Sequence, residues 1–275
     1  MALTVNTNLT AMNSTTKLVR SNQGLSKTLG RISSGMRINS AADDAAGLGV
    51  AENLSAASRS VRVAQRNTND GISVVQTAEG ATNEVANILK RMRELAVQSS
   101  SETLEDGERA YIQDENAQLL LEIDRIATVT EFNGQKLTGS ALTQMDVQVG
   151  IFNTGNDQIT INLGDLSATT GLSVNGVALG TSTGAQAALS VIDAALDTVN
   201  GIRSDYGAVQ NRLESALRNL ENYDQNLTSA ESQIRDADFA KESSEMAKYQ
   251  VMQQAGVAAL SQAKSINMQA AQLIQ

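Results

Sequence analysis

Residues 50–96 read VAENLSAASRSVRVAQRNTNDGISVVQTAEGATNEVANILKRMRELA, a run without proline and with two internal glycines, Gly71 and Gly80. Small or apolar residues recur at Val50, Leu54, Ala57, Val61 and Ala64, and again at Val75, Ala78, Val85, Leu89, Met92 and Ala96. The steps are mostly three and four, the period that lines up side chains on one face of a helix. One helix of about 50 residues would be about 75 Å long, at about 1.5 Å per residue. An amphipathic helix in water must bury its stripe, so a second long helix has to exist. Tyr206, Val209, Leu213, Ala216, Leu220, Tyr223 and Leu227 supply it, with a 3-4-3-4-3-4 spacing sustained for three heptads. Asp43 and Asp44 stand where a first helical turn would welcome negative charge.

Between these helices the texture changes. Ser99–Asp106 breaks the first one, and Thr103 with Asp106 has the form of a helix start. A helix is expected from about 104 to 129, with Tyr111, Leu119, Ile123 and Ile126 on its apolar side, stopping at the turn signal Phe132-Asn133-Gly134. Val147-Gln148-Val149 and Ile159–Leu163 alternate like strands around the turn-forming stretch Asn153–Asp157. Gly, Ser and Thr dominate 164–184, so the whole of about 135–184 reads as a small β-hairpin region with a mobile link. Helix resumes near Ala185, a joint falls between Ser229 and Asp238, and a last helix is expected over about 239–273.

The two ends share one character. Residues 1–42 hold five bases and 246–275 hold two, while all 30 acids lie between Asp43 and Glu245. At the N-terminus the stripe passes through Val5, Leu9, Met12 and Val19, then one residue out of phase through Leu18, Leu25, Leu29, Ile32 and Met36. Such a shift resembles a stutter, and Gly24, Gly30 and Gly35 lower helix propensity there. Met252, Leu260, Ile266 and Leu273 are the matching apolar positions at the C-terminus. Both ends are amphipathic but marginal alone, so they are expected to fray in a lone chain and to order on gaining partner helices.

The resulting fold class is mainly α, a long antiparallel helical bundle or coiled coil made from N- and C-terminal arms. Residues 1–42 and 236–275 form the two parts of a terminal coiled-coil domain. Residues 43–184 and 185–235 form a helical-bundle domain that carries the β-hairpin region.

Composition removes most chemistry. The 275 residues include no His, Cys, Trp or Pro, and only 3% are aromatic. Histidine bases, thiolate nucleophiles, zinc sites of the usual N/S type and disulfides are therefore excluded. The carboxylate pairs Asp43-Asp44 and Asp114-Glu115 occupy adjacent helical positions, which do not face each other, and read as solvated helix charges. Gly47-Leu48-Gly49 lacks the rest of a phosphate loop and suits close helix packing. Ser243-Ser244 near Lys241 and Lys248 has dyad chemistry but the setting of a solvated helix face. No enzyme activity, metal or cofactor is expected. Nucleic acid is an unsuitable partner, because the bases are sparse and stacking aromatics are scarce. No run of 18 apolar residues exists to span a membrane, and the first residues lack the pattern of a secretory signal peptide. Another route would have to carry the chain out of the cell.

Several long segments resemble the hallmark sequences of bacterial flagellins: SSGMRINSAADDAAG (33–47), LKRMRELAVQSS (89–100), EFNGQKL (131–137), NLTSAESQIRDADFAKE (226–242) and the tail QVMQQAGVAALSQAKSINMQAAQLIQ (250–275). The resemblance covers about 1–150 and 185–275, and only about 50 residues stand where larger flagellins carry outer β domains. It implies a secreted, extracellular filament subunit for motility, exported uncleaved by the flagellar type III pathway. Its partners would be other copies of itself, an export chaperone and a filament cap, with paired termini lining the filament core. It further implies that Arg91, Leu95 and Glu115 match the surface recognised by Toll-like receptor 5, with the free subunit rather than the filament as the trigger. The same residues would equally serve subunit packing. Two other readings remain: a hook-filament junction protein, which shares end sequences, and a membrane-surface or adaptor coiled coil with basic amphipathic ends.

Overall fold

The computed structural model describes residues 7–139 and 142–272, so Val5 and Leu273 lie outside the described residues, as does the side chain of Ile266. The elements are α1 (Leu9–Ser34), α2 (Ala45–Ser99), α3 (Asp106–Val129), β1 (Glu131–Phe132), β2 (Gln135–Lys136), β3 (Gln144–Gln148), β4 (Gln158–Asn162), α4 (Ser182–Arg235) and α5 (Phe239–Gln272). The chain divides into two compact units, unit 1 from Met1–Ser58 with Asn226–Gln275 and unit 2 from Arg59–Gln225. The fold is mainly α with a small antiparallel strand region, and both divisions fall inside long helices.

Unit 2 holds two buried clusters. In the first, Val85, Leu89, Met92 and Ala96 of α2 pack with Ile112 and Ile123 of α3 and with Ala188, Ile192 and Val199 of α4. In the second, Val74, Val75 and Ala78 of α2 meet Tyr206, Val209 and Leu213 of α4 beneath Val147, Ile159 and Ile161 of the hairpin. Arg93 pairs with Asp193 at 2.6 Å and Arg62 with Asp224 at 3.1 Å, so α2 and α4 run antiparallel with one register along both. The α2 stripe does not lapse between Ala64 and Val75. Thr68 and Thr82 are fully buried on it, each hydroxyl donating to the carbonyl four residues back (Ala64 and Ala78, both 2.7 Å). A hydroxyl satisfied by its own helix leaves the rest of the threonine free to pack. Gly71 lets the hairpin pack closely there, since a Cβ would stand 3.0 Å from the Val147 side chain. Val50, by contrast, is 49% exposed, and Ala51 takes the inward place.

Four expectations need correction. Asp43 and Asp44 precede α2 instead of lying in its first turn; the Asp44 carboxylate accepts the Gly47 N–H at 2.9 Å, as a cap does. Helix α3 starts at Asp106, and the Glu108 carboxylate accepts the Glu105 N–H at 3.2 Å, while Thr103 bonds the Ser101 hydroxyl at 2.7 Å instead of capping. On α3 Tyr111 is 77% exposed and Ile112 points inward, because one residue turns the helix by about 100°. The segment 164–184 is a packed strap, not a mobile link. Leu166, Ala168, Leu172, Val174, Val177 and Leu179 are buried in the first cluster. The Asn116 amide donates to Val177 O at 3.2 Å, and the Asp124 carboxylate accepts the Ala168 N–H at 2.8 Å, fastening the strap's backbone.

The chain reverses after α3 through Asn133 and Gly134, both at positive φ (50° and 78°), in a two-residue turn that joins β1 to β2. Such turns favour Asn-Gly because both central residues must be left-handed. β3 and β4 form a second antiparallel pair, Val147 opposite Ile159 and Met145 opposite Ile161.

Candidate assembly surface

In unit 1, α1 and α5 pair along a heptad seam. Among the buried or half-buried positions, Ala11, Ser14, Leu18, Ser21, Leu25, Thr28 and Ile32 on α1 and Glu242, Met246, Tyr249, Gln253, Gly256, Leu260 and Ala263 on α5 mark the seam. Both sets step by threes and fours throughout. The pairing is antiparallel: the Asn8 side-chain amide donates to Ala263 O at 3.1 Å, and Arg31 pairs with Glu242, also at 3.1 Å. Small residues let the helices approach. A Cβ on Gly24 would fall 2.5 Å from the Tyr249 ring, and one on Gly256 would fall 3.2 Å from Leu18.

This seam leaves most large apolar side chains outside. Leu9, Met12, Val19 and Leu29 on α1 are 46–65% exposed, and Val251, Met252 and Val257 on α5 are 45–64% exposed. The apparent stutter in α1 is therefore two stripes on one helix. Leu18, Leu25 and Ile32 face α5, whereas Leu9, Met12, Val19 and Leu29 face solvent. Of the assembly residues read from the sequence, Leu25, Ile32 and Leu260 lie half-buried on the intrachain seam, and Leu9, Met12, Leu29 and Met252 lie on the open stripes. An open groove between α1 and α5 is lined by Met12, Val19, Leu260, Arg20 and Lys264 among others. A polar clasp closes the base of the pair. Gly35 ends α1 at φ 70°, Ala237 N–H donates to Gly35 O at 2.9 Å, and Arg37 N–H donates to Arg235 O at 2.7 Å. Beside it, the Lys27 ammonium holds the Asp43 carboxyl down at about 2 against the opposing effect of burial, with smaller help from the Asn39 and Ser40 N–H groups.

In unit 2 the structure brings Arg91 and Glu115 together at 2.8 Å, with Glu94 at 3.1 Å from the same guanidinium; these contacts raise the Arg91 pKa, the Glu115 bond most. Leu95 is turned away, 1% exposed in the first cluster, so it forms the floor of this surface and presents nothing outward. The Ser243-Ser244 pair builds no dyad: Ser244 donates to Ala240 O at 3.0 Å, and Lys248 reaches Glu245 at 3.3 Å. Among the described residues, no helix is long and apolar enough to cross a membrane.

A chain that closes a core in unit 2 and leaves the paired heptad helices of unit 1 with uncovered apolar stripes is a subunit with a helical interaction surface. Family models agree on which one. The bacterial flagellin N-terminal helical region matches residues 5–141, and the bacterial flagellin C-terminal helical region matches 189–274. The chain is 45% identical to a flagellin of Halalkalibacterium halodurans over 94% of its own length and 95% of that protein's. It is 38% identical to a flagellin of Bacillus subtilis, covering 98% and 99% respectively. A crystal structure of Bacillus cereus flagellin superposes with a TM-score of 0.50 at 28% identity, over 56% of this chain and 88% of that one. The chain belongs to the bacterial flagellin family, and it is a structural subunit of the flagellar filament, not an enzyme.

Proposed function

We propose that subunits polymerise by burying the open stripes of α1 and α5 against neighbouring copies, so that residues 1–42 and 236–275 act as one terminal coiled-coil domain completed only in the filament. The observation that carries this is the exposure of Leu9, Met12, Val19, Val251, Met252 and Val257 beside a seam that is already closed. Residues 43–184 and 185–235 serve as the bundle domain that spaces the subunits. At about 25 cal/mol per Å², burying apolar area of this kind is the main driving force available. A lone arm pair has little apolar core, so it frays and orders on assembly. Such a subunit is delivered through the flagellar export channel with a chaperone over its open stripes, is added beneath a cap, and ends outside the cell.

Removing residues 1–40 and 246–275 tests the reading. The truncated protein should remain helical by circular dichroism and form no filaments on seeds; filaments from it, seen by electron microscopy, would overturn the reading. The exposed Arg91–Glu115 pair supports Toll-like receptor 5 recognition of the free subunit. Receptor-reporter cells should respond more weakly to Arg91→Ala monomer, and an unchanged response would refute the assignment.

A further inference from the structure

We propose that the methionines of the open arms, Met12, Met252 and Met268, are an oxidation site that reversibly blocks assembly of the free subunit. The inference rests on the reading that the arm stripes drive polymerisation. A chain without cysteine, histidine or tryptophan leaves methionine sulfur as its most readily oxidised group. Met12, Met252 and Met268 are 62%, 45% and 64% exposed, all in unit 1, while Met36, Met145 and Met246 are half-buried and Met92 in the unit 2 core is fully buried. Met12 also lines the open groove beside Val19 and Leu260. The most accessible sulfurs therefore sit on the surface that neighbouring copies must cover.

The chemistry is a two-electron oxygen transfer from a hydroperoxide. A sulfur lone pair attacks the terminal oxygen of hydrogen peroxide, the O–O bond breaks, and the departing hydroxide takes the hydroxyl proton to leave as water. The thioether is oxidised to the sulfoxide and the peroxide is reduced. A flexible apolar side chain becomes a polar one with a strong acceptor oxygen, which weakens a methionine-bearing interface. Methionine sulfoxide reductases reverse the change with an external thiol reductant. Inside a filament these sulfurs would be covered, so the sensitivity belongs to subunits not yet incorporated.

The test treats purified full-length protein with hydrogen peroxide, maps added oxygen by mass spectrometry and follows growth on filament seeds. Met12, Met252 and Met268 should oxidise before Met92, and seeded growth should fall by about tenfold or more. Reductase treatment should restore it. The Met12→Leu/Met252→Leu/Met268→Leu variant keeps volume and apolarity, and its own rate of seeded growth, whatever its value without peroxide, should not change when peroxide is added. Undiminished growth of wild-type protein oxidised at all three positions would overturn the inference, as would equal peroxide sensitivity of the leucine variant. Assembly of the arm-truncated chain would instead overturn the reading beneath it, so the two failures are distinguishable.

Discussion

Unit 1 and unit 2 are both built on heptad seams, yet they use them in opposite ways. In unit 2 the seam residues Val85, Leu89 and Met92 are fully buried, as are Ile192 and Leu213 opposite, and hairpin and strap close the remaining sides. In unit 1 the seam mixes half-buried Leu18, Leu25, Ile32 and Leu260 with Ser21, Thr28, Gly24 and Tyr249, while Leu9, Met12, Val19, Leu29, Val251, Met252 and Val257 stand outside it. Periodicity therefore tells where helices meet, but not whether one chain completes the meeting. Unit 1 makes up part of the difference with directional contacts at its base: Lys27–Asp43 at 2.6 Å, Arg31–Glu242 at 3.1 Å and Arg235–Glu52 at 3.2 Å. Unit 2 adds ion pairs such as Arg93–Asp193 and Arg62–Asp224 to a closed apolar core, whereas in unit 1 such contacts accompany a seam with far fewer buried apolar side chains.

The strongest way to break this contrast is a matched pair of substitutions. Leu89→Ala opens a cavity in the unit 2 core and should cost about 2–5 kcal/mol. Its unfolding midpoint in urea, read from helical ellipticity, should drop accordingly. Val251→Ser removes a 64% exposed side chain at little change in helix propensity, so monomer stability should move by no more than about 0.5 kcal/mol. Seeded filament growth should nevertheless fall by about tenfold, a factor that corresponds to about 1.4 kcal/mol per added contact. Equal destabilisation of the two monomers would mean that Val251 is already covered within one chain, and the contrast between the units would fail.

How far the sequence carried depends on which residues make the seams. The long helices were legible because Tyr206, Leu213, Val85 and Leu89 are large and apolar at helical spacing, and the β3–β4 hairpin was legible from alternation; Asn133-Gly134 was legible as a turn, though not as the tip of the short β1–β2 pair. Thr68, Thr82, Ser21 and Thr28 were not legible as seam residues. A pattern that counts only apolar side chains drops them, and nothing local reveals that the three threonine hydroxyls will be spent on their own helices; Thr28, for example, donates to Gly24 O at 3.0 Å. The same omission turned two α1 stripes into an apparent stutter. The strap failed for a different reason. Leu166, Ala168, Leu172, Val174, Val177 and Leu179 follow neither helical nor strand period, so their burial comes from the groove above α2, α3 and α4 and not from any regular element. The exposed pairing of Arg91 with Glu115 joins α2 to α3, which spacing along either helix alone does not reveal. Leu95 lies one helical turn along from Arg91, and its inward aim depends on the side from which α3 and α4 approach.

The smallest effect tests the polar half of the contrast. Asp43 titrates at about 2 in the folded chain against an ordinary value of 3.8, because its ionised form is bonded to Lys27 and to the Asn39 and Ser40 amides. A depressed folded pKa means that the stabilisation is present in full above the unfolded value and disappears as pH falls through the folded one. Protection of the Asn39 and Ser40 amides from hydrogen exchange, corrected for intrinsic rates, should hold down to about pH 4 and then decline towards pH 2. In Asp43→Asn the decline across that window should vanish, with lower protection at neutral pH. The effect is modest because Lys27 is 53% exposed and salt screens such a pair. Raising the salt concentration should accordingly shrink the wild-type advantage and leave the Asn variant unchanged. Leu89→Ala should lose the same stability at low and high salt, since Leu89 is fully buried in an apolar cluster. If salt moved both equally, the base of unit 1 would be held by burial like unit 2, and the open stripes above it would need another explanation.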